Sequence, residues 1–559
     1  MRTPSKLLGP ALALSAILIS AGHRHTYGRG TACLAPTSNG LVQGTVSGTT
    51  CVFLGIPFAA STANQNRWKP PQPAAPWTPN ILSVTSPPSN CASLNAAGAP
   101  QGSEDCLKLN LWVRNPRPTG APVIVWIHTG SFTGASANFA GTNGLKLAAE
   151  TGVIVVEANY RLAAFGFLAH RAFEQEDPQR RSAGNYGLLD QRAALEWVRD
   201  NIAGFGGDPD NVTLAGTSAG GQSVGLHMVS PGSRGLFHRA IVESAYPTTA
   251  WATRDEGVAQ GEALATSLAC INPAQVASCL RSKTLNQILL AFAQAAGQVV
   301  EPVGRAFWEP VVDGIVIPDQ PRRLFEQGEF AHVPTIIGTD RDEAWGPFIT
   351  RSFASGVSLA QYEAWVNTEF GALAPRVLAA YPASAFASPQ EAMSRLVTDG
   401  QFVCESRRLG DLIADGGLRG RGPHPEHDTG KRIKMPVYMY SYDYVLNDLS
   451  AGHVIHGLES NIIFGNGYTT PTFAANHPLT PADLALHDIM AGYWTTFANT
   501  GDPNGGDLPP WLEYRKNHDN YLVFDSVPSA GDDQRSDACE FWSAFSLRSM
   551  LGGVTAGSP

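Results

Sequence analysis

Asn211-Val-Thr-Leu-Ala-Gly-Thr-Ser-Ala-Gly-Gly221 is the stretch on which the reading of this chain turns. Val212 to Ala215 is a short apolar run of the kind that forms a buried strand. Gly216-Thr217-Ser218-Ala219-Gly220 fits Gly-x-Ser-x-Gly, and a helix-compatible run from Ser223 to Met228 follows. Strand, sharp turn and helix in that order is the setting in which the pattern forms a nucleophile elbow. In so tight a turn the flanking backbones nearly touch. Side chains two residues before and after the serine would clash, which places glycine at 216 and 220. The serine is lifted clear of the sheet. The following helix aims its N-terminal N–H groups and the positive end of its dipole at the place where an oxyanion would form.

Working outward, further apolar, β-branched runs alternate with helical segments. Val123 to His128, Val153 to Asn159, Arg239 to Glu243, Thr335 to Ile337, Val437 to Ser441 and Tyr521 to Phe524 read as strands. Ala135 to Glu150 reads as a helix, and Leu188, Leu189, Leu195, Val198 and Ile202 form a helix-period stripe. Strands alternating with helices predict a mostly parallel sheet covered on both faces, in one large α/β domain. Gly416 to Lys434 is rich in Gly, Pro and charge and reads as a flexible surface loop.

The composition agrees: 559 residues, 43% apolar and 16% charged, suit a large core. The net charge is −9 and no basic block stands out, which argues against a nucleic-acid partner. Arg2 and Lys6 precede an apolar run from Leu7 to Ala21, interrupted by Gly9-Pro10. This reads as a secretory signal peptide over 1–21, too short and broken for a membrane anchor. The main domain is then expected over 30–545, with a flexible tail over 546–559 and no GPI signal. Eight cysteines in a secreted chain suggest four disulfides. Sequence neighbourhood suggests Cys33–Cys51, Cys91–Cys106 and Cys270–Cys279, leaving Cys404–Cys539 as a long-range clasp. No cysteine pair has metal-ligand spacing, and neither metal nor cofactor is expected. Asn211-Val-Thr is the one glycosylation sequon, at the mouth of a strand where efficient glycosylation is not expected.

A serine nucleophile needs a base and oxyanion donors. On this architecture the partners follow in the order Ser, Asp/Glu, His. Ile336-Ile-Gly-Thr-Asp-Arg-Asp-Glu343 offers Asp340, Asp342 and Glu343 in a strand-to-loop segment, and Gly452-His453-Val454-Ile455-His456-Gly457 offers two histidines. Pattern alone does not choose among them. Trp126 to Gly134, after the first central strand, is the expected source of the remaining oxyanion donors.

Longer motifs carry a resemblance. Phe53-Leu-Gly-Ile-Pro-Phe-Ala59, Arg67-Trp68, Pro70-Pro-Gln-Pro73, Ser103-Glu-Asp-Cys-Leu107, Asn159-Tyr-Arg-Leu162, Asn185-Tyr-Gly-Leu-Leu-Asp-Gln191 and Phe205-Gly-Gly-Asp-Pro209 stand in order before the elbow. With them the chain resembles the type-B carboxylesterases, the cholinesterase-like branch of the α/β-hydrolases, from about 40 to about 545. The resemblance implies Ser218 as nucleophile, Glu343 as acid and His456 as base, with His453 a bystander. It implies an oxyanion hole from the N–H groups of Gly130, Ser131 and Ala219. It also matches the pairings Cys91–Cys106, Cys270–Cys279 and Cys404–Cys539.

Four positions depart from the family pattern. Thr217 stands where Glu is usual, Thr129 and Ser131 replace glycines of the oxyanion turn, and Ala344 replaces the glycine after the acid. A threonine at positive φ is strained, which predicts an altered path for the turn. The Cys91–Cys106 loop, which covers the mouth in this family, is short and poor in large apolar residues, so an interfacial lipase lid is not expected. It lacks a tryptophan for cation–π binding of choline. Gly304 and Ala306 stand near the positions where acetyl-selective relatives carry aromatics, which predicts room for a larger acyl group. The expectation is a secreted esterase acting through an acyl-enzyme on small to medium uncharged esters. The alternatives are an acyltransferase or lactone-forming enzyme on the same triad, and a non-catalytic binding member.

Overall fold

The computed structural model describes residues 33–95, 97–176, 184–296, 308–346, 349, 356–416, 434–446, 452–470 and 473–543. The segments 1–21 and 546–559, Gly304 and Ala306, and the interior of the 416–434 loop lie outside these residues.

An eleven-stranded sheet organises the chain. Its strands are Thr45–Ser47 (β1), Thr50–Pro57 (β2), Lys108–Arg114 (β3), Ala121–Ile127 (β4), Ile154–Ala158 (β5), Gly207–Thr217 (β6), Arg239–Glu243 (β7), Thr335–Asp340 (β8), Val437–Tyr442 (β9), Tyr521–Phe524 (β10) and Ser529–Gly531 (β11). Their spatial order is β1-β2-β3-β5-β4-β6-β7-β8-β9-β10-β11. The strands from β5 to β10 pair in parallel, while β1, β2, β3 and β11 are antiparallel additions at the two edges. The parallel connections run through Leu145–Thr151 (α1), Tyr186–Asn201 (α2), Ala219–Val229 (α3), Cys404–Asp415 (α4), and Leu458–Phe464 (α5) with Pro481–Thr500 (α6).

Both faces of the parallel strands are apolar because each face has its own core. Along β4, Val123, Val125 and Ile127 enter one core and Ile124 and Trp126 the other. Along β9, Val437 and Met439 oppose Tyr438, Tyr440 and Tyr442 in the same way. The period of two sends alternate side chains to opposite faces, and each large apolar side chain so buried contributes roughly 1.5–3 kcal/mol. A third apolar cluster joins the helices between 359 and 397 to Phe402, Cys404 and Trp542.

The strands read from sequence all form, Arg239–Glu243 and Tyr521–Phe524 with the bounds expected. The helix expected over Ala135 to Glu150 does not form at that length. It begins at Leu145, after a short 3-10 turn at Ala140–Thr142. Ala137 is pinned instead: its N–H donates to Asn159 Oδ1 (2.9 Å) and its carbonyl accepts from Asn110 Nδ2 (2.7 Å). Tertiary hydrogen bonds have overridden local helix propensity there. All four disulfides form as expected, with Cα separations of 5.4, 5.0, 5.6 and 5.0 Å. Among the described residues no helix is long and apolar enough to cross a membrane.

Candidate active site

β6 runs into the elbow and α3 leaves it. Ser218 sits between them at φ 58° and ψ −123°, a conformation sparsely populated by non-glycine residues. The surroundings hold it there: its N–H donates to the Glu243 carbonyl (3.0 Å) and its carbonyl accepts from Gln222 N (2.8 Å). A Cβ on Gly216 would lie 2.7 Å from both Gly220 C and the Ile127 carbonyl oxygen, and one on Gly220 would lie 2.0 Å from that same oxygen. The two glycines are therefore required by close approach of the backbone. Ser218 itself is half-buried.

The turn expected to supply oxyanion donors follows β4. Left-handed backbone falls on Gly130 (φ 112°), Ser131 (φ 52°) and Phe132 (φ 59°), and not on Thr129. The strain foreseen at the threonine does not arise, because positive φ falls on Gly130, Ser131 and Phe132 instead. The turn is closed by Thr133 N (2.9 Å) and Gly134 N (3.0 Å) donating to the Gly130 carbonyl. Among the described residues no acceptor within the chain takes the N–H of Gly130, Ser131 or Ala219.

The three acids and two histidines left open by the sequence have separate places. Glu343 is fully buried, and its Oε2 accepts from His456 Nδ1 at 2.5 Å while its Oε1 accepts from Asp340 N at 2.9 Å. That bond sets the ring orientation of His456 and leaves Nε2 as its basic nitrogen. His453 stacks on Trp345 at 3.8 Å and lies 3.6 Å from Asp342, so it stands apart from the Glu343–His456 pair. Asp342 ties the two loops together. Its N–H donates to the Val454 carbonyl (2.9 Å), and its Oδ2 accepts from Val454 N (3.1 Å). Asp340 Oδ2 accepts from Gly457 N at 2.6 Å, next to His456. Ala344 is fully buried, and its N–H donates to Thr398 Oγ1 at 3.1 Å.

Some neighbours of the site gave no signal in the sequence. Phe402 lies in a π-helical turn at Thr398–Val403 and packs its ring 5.2 Å from that of His456. His128 stacks on Tyr160 at 4.3 Å and hydrogen-bonds the Thr129 carbonyl through Nδ1. Burial lowers its pKa to about 4, so it is neutral near pH 7. Glu459, on the first turn of α5, is the one that spacing could have suggested, three residues after His456.

A cavity of about 180 Å³ opens beside His456. Trp126, His128, Phe139, Thr217, Leu458 and Tyr468 contribute to its wall, which among the described residues includes no carboxylate, lysine or arginine. Among the described residues, no hydrogen-bond partner meets Thr217 Oγ1, Trp126 Nε1 or His128 Nε2, all buried there. The Cys91–Cys106 loop is a small hairpin, Ser93–Leu94 against Pro100–Gln101, and carries no helix among its described residues.

The sequence profile of the Carboxylesterase family matches residues 32–542. The chain belongs to the carboxylesterase family. The enzyme is accordingly a serine hydrolase of carboxylic esters on the α/β-hydrolase fold. It is 32% identical over 545 residues to the acetylcholinesterase of Bungarus fasciatus, covering 91% of this chain and 86% of that one. It is 31% identical over 511 residues to the para-nitrobenzyl esterase of Bacillus subtilis (strain 168), covering 90% and 97%. The solved structure of a PNB esterase superimposes with a TM-score of 0.76 at 29% identity, over 91% of this enzyme and 99% of that chain. Several motifs that carried the resemblance turn out to be framework. Arg67 pairs with Glu104 (2.7 Å from Nε), Arg161 with Asp190 (2.7 Å from Nε), and Asn185 exchanges two hydrogen bonds with Val311.

Proposed function

We propose that the enzyme hydrolyses small to medium uncharged esters by a Ser218–Glu343–His456 triad. Ser218 Oγ attacks the ester carbonyl carbon while His456 Nε2 accepts its proton, the imidazolium being held and stabilised by Glu343. The tetrahedral oxyanion is received by the N–H groups of Gly130, Ser131 and Ala219, each donor being worth roughly 2.7–4 kcal/mol. Collapse expels the alcohol, protonated by His456. Water then repeats the sequence on the acyl-enzyme and releases the acid.

The observation that carries this reading is the 2.5 Å bond from His456 Nδ1 to the buried Glu343, on loops stitched together by Asp342. The preference for uncharged esters rests on the cavity beside His456. Its wall offers aromatic and aliphatic surface and neutral polar atoms, with Thr217 in place of an acid. A cationic group would find no counter-charge on that wall, whereas a small hydroxyl or an ordered water could meet Thr217 Oγ1 or His128 Nε2. Secretion is part of the proposal. Four disulfides suit an oxidising compartment, and Arg2, Lys6 and the Leu7–Ala21 run read as a signal peptide.

The test is hydrolysis of p-nitrophenyl esters from acetate to laurate, beside choline esters, by the wild type and Ser218→Ala. Activity on the neutral series that is lost in the variant, with choline esters poor, supports the reading. Equal use of choline esters would refute the neutral pocket. Activity surviving in Ser218→Ala would refute the nucleophile.

A further inference from the structure

Behind the Glu343–His456 pair lies a second group of acids that the mechanism does not use. Glu243 at the end of β7, Asp340 at the end of β8 and Glu459 on α5 are each fully buried. Two of the four oxygens on Asp340 and Glu459 can be followed from the hydrogen bonds around them. Asp340 Oδ2 takes the N–H of Gly457 (2.6 Å), and Glu459 Oε1 takes the hydroxyl of Ser244 (2.9 Å). Asp340 Oδ1 and Glu459 Oε2 remain, both buried and, among the described residues, both without a partner as long as each is only an acceptor. Yet the two side chains are within hydrogen-bonding reach of each other. Two bare carboxylates so placed would be costly. One proton between them satisfies both orphaned oxygens at once.

We propose that Asp340 is a positioning residue for His456 that works as a carboxylic acid: it shares one proton with Glu459, and this pair holds the His456–Gly457 turn against the end of β8. The inference rests on His456 being the general base.

The surroundings are consistent with a retained proton. Glu343 faces Asp340 from its own turn, Glu459 from α5, Tyr440 and Tyr442 from β9, and Tyr468 from the strand Tyr468–Thr470. Glu243 faces Glu459 from β7, and His456 is the base next to the group. Burial first, then the charges of Glu459 and Glu343, push the Asp340 carboxyl well above the usual carboxylate range. The Glu243 carboxyl is pushed up likewise, with Trp494 Nε1 donating to its Oε1 at 2.9 Å. When pH rises far enough to remove the shared proton, two negative carboxyls meet at the foot of the histidine turn. The Gly457 contact is then strained from below while Ser218 is untouched. The consequence is an alkaline loss of kcat that belongs to Asp340 and not to the triad.

The experiment uses the full-length enzyme with p-nitrophenyl butyrate. Asp340→Ala removes both contacts and is expected to lower kcat by about tenfold or more, with KM within about twofold. Asp340→Asn keeps an acceptor for Gly457 N–H and a donor for Glu459 without a titrating proton. It is expected to recover most of the loss and to move the alkaline limb of kcat upward by about one pH unit or more. The second readout needs no turnover. The infrared difference spectrum, wild type minus Asp340→Asn at pH 8, should contain a protonated-carboxyl C=O band, and wild type minus Glu459→Gln should contain the same band. Superimposable pH profiles for wild type and Asp340→Asn, or no such band in either difference spectrum, would overturn the proposal. If Asp340→Asn does not fold, Glu459→Gln carries both readouts. Full activity in His456→Ala alongside the infrared band would instead overturn the triad reading and leave the shared proton standing.

Discussion

Replacing Gly220 by alanine is the sharpest test of the elbow. The added Cβ would lie 2.0 Å from the Ile127 carbonyl oxygen, 2.9 Å from Ile127 C and 3.2 Å from the His128 carbonyl oxygen. Ordinary contact begins at about 3.4 Å, so the end of β4 and the start of α3 must part by about 1.4 Å. Neither partner is a flexible side chain, and the nearest obstacle is sheet backbone. Overpacking of this kind costs roughly 1–3 kcal/mol of stability. The larger effect falls on catalysis. Ala219, whose N–H is a proposed oxyanion donor, is the residue next to the altered position, and a displacement of about 1 Å can cost about 10²-fold in rate. At Gly216 the same construction leaves 2.7 Å, a shortfall of about 0.7 Å, so its alanine variant should lose less. The assay is kcat on p-nitrophenyl butyrate, normalised to folded protein from the urea unfolding midpoint. A Gly220→Ala enzyme with kcat within about threefold of wild type and an unchanged midpoint would refute the steric argument. So would a Gly216→Ala variant that is clearly the worse of the two.

Glu343→Gln should leave the fold near wild type but lower kcat by about 10³-fold or more, because the amide no longer stabilises the imidazolium. Retention of kcat within tenfold would point to another acid. Cys404→Ser with Cys539→Ser opens a clasp spanning 135 residues and should cost about 2–5 kcal/mol, read as a shift in urea midpoint. An unchanged midpoint would show that the clasp adds nothing. Stability should also fall on the alkaline side. Glu157, Glu243 and Asp340 are buried with carboxyl pKa values raised well above normal, so above pH 4 the folded state holds protons that the unfolded state has lost. Buried His128 and His227, lowered to about 4 and about 3, act in the opposite sense only below about pH 6.5. Between pH 7 and pH 8 the acids alone remain. Each that stays protonated in the folded state lowers stability by about 1.4 kcal/mol per pH unit. Urea unfolding at constant ionic strength measures the slope, and a flat or rising profile would refute it.

The parts of this molecule legible in the sequence are those fixed by local geometry. Gly216 and Gly220 announce the elbow because no side chain fits there, and the apolar runs of β4, β5 and β7 announce buried parallel strands. The misread segment, Ala135 to Glu150, failed because its conformation is set by Asn110 and Asn159, residues on other strands. The choice among Asp340, Asp342 and Glu343 could not be made from spacing for the same reason. What separates the acids is the distant group each meets: the backbone of Gly457, the backbone of Val454 or the ring of His456. The resemblance named Glu343 and His456 where the residues alone did not. Phe402 and the closeness of Asp340 to Glu459 lay beyond both, since nothing local marks a phenylalanine as a histidine's neighbour or one acid as another's.

The clasp between Asp342 and Val454 has a consequence for how such an enzyme can diverge. The chain leaves at Glu343 and returns at His456, 113 residues later, through a neck that two backbone-directed bonds and the Arg341 contact to the Gly452 carbonyl (2.7 Å) hold shut. The excursion carries most of one apolar cluster, which Tyr246 and Trp542 join from outside it, and it packs against the histidine through Phe402. The helices between 359 and 397 can therefore be lengthened or reshaped while the neck keeps Glu343 and His456 in register. Variation in that outer layer and constancy of the Glu343–His456 pairing are thereby uncoupled by a closed neck of a few residues.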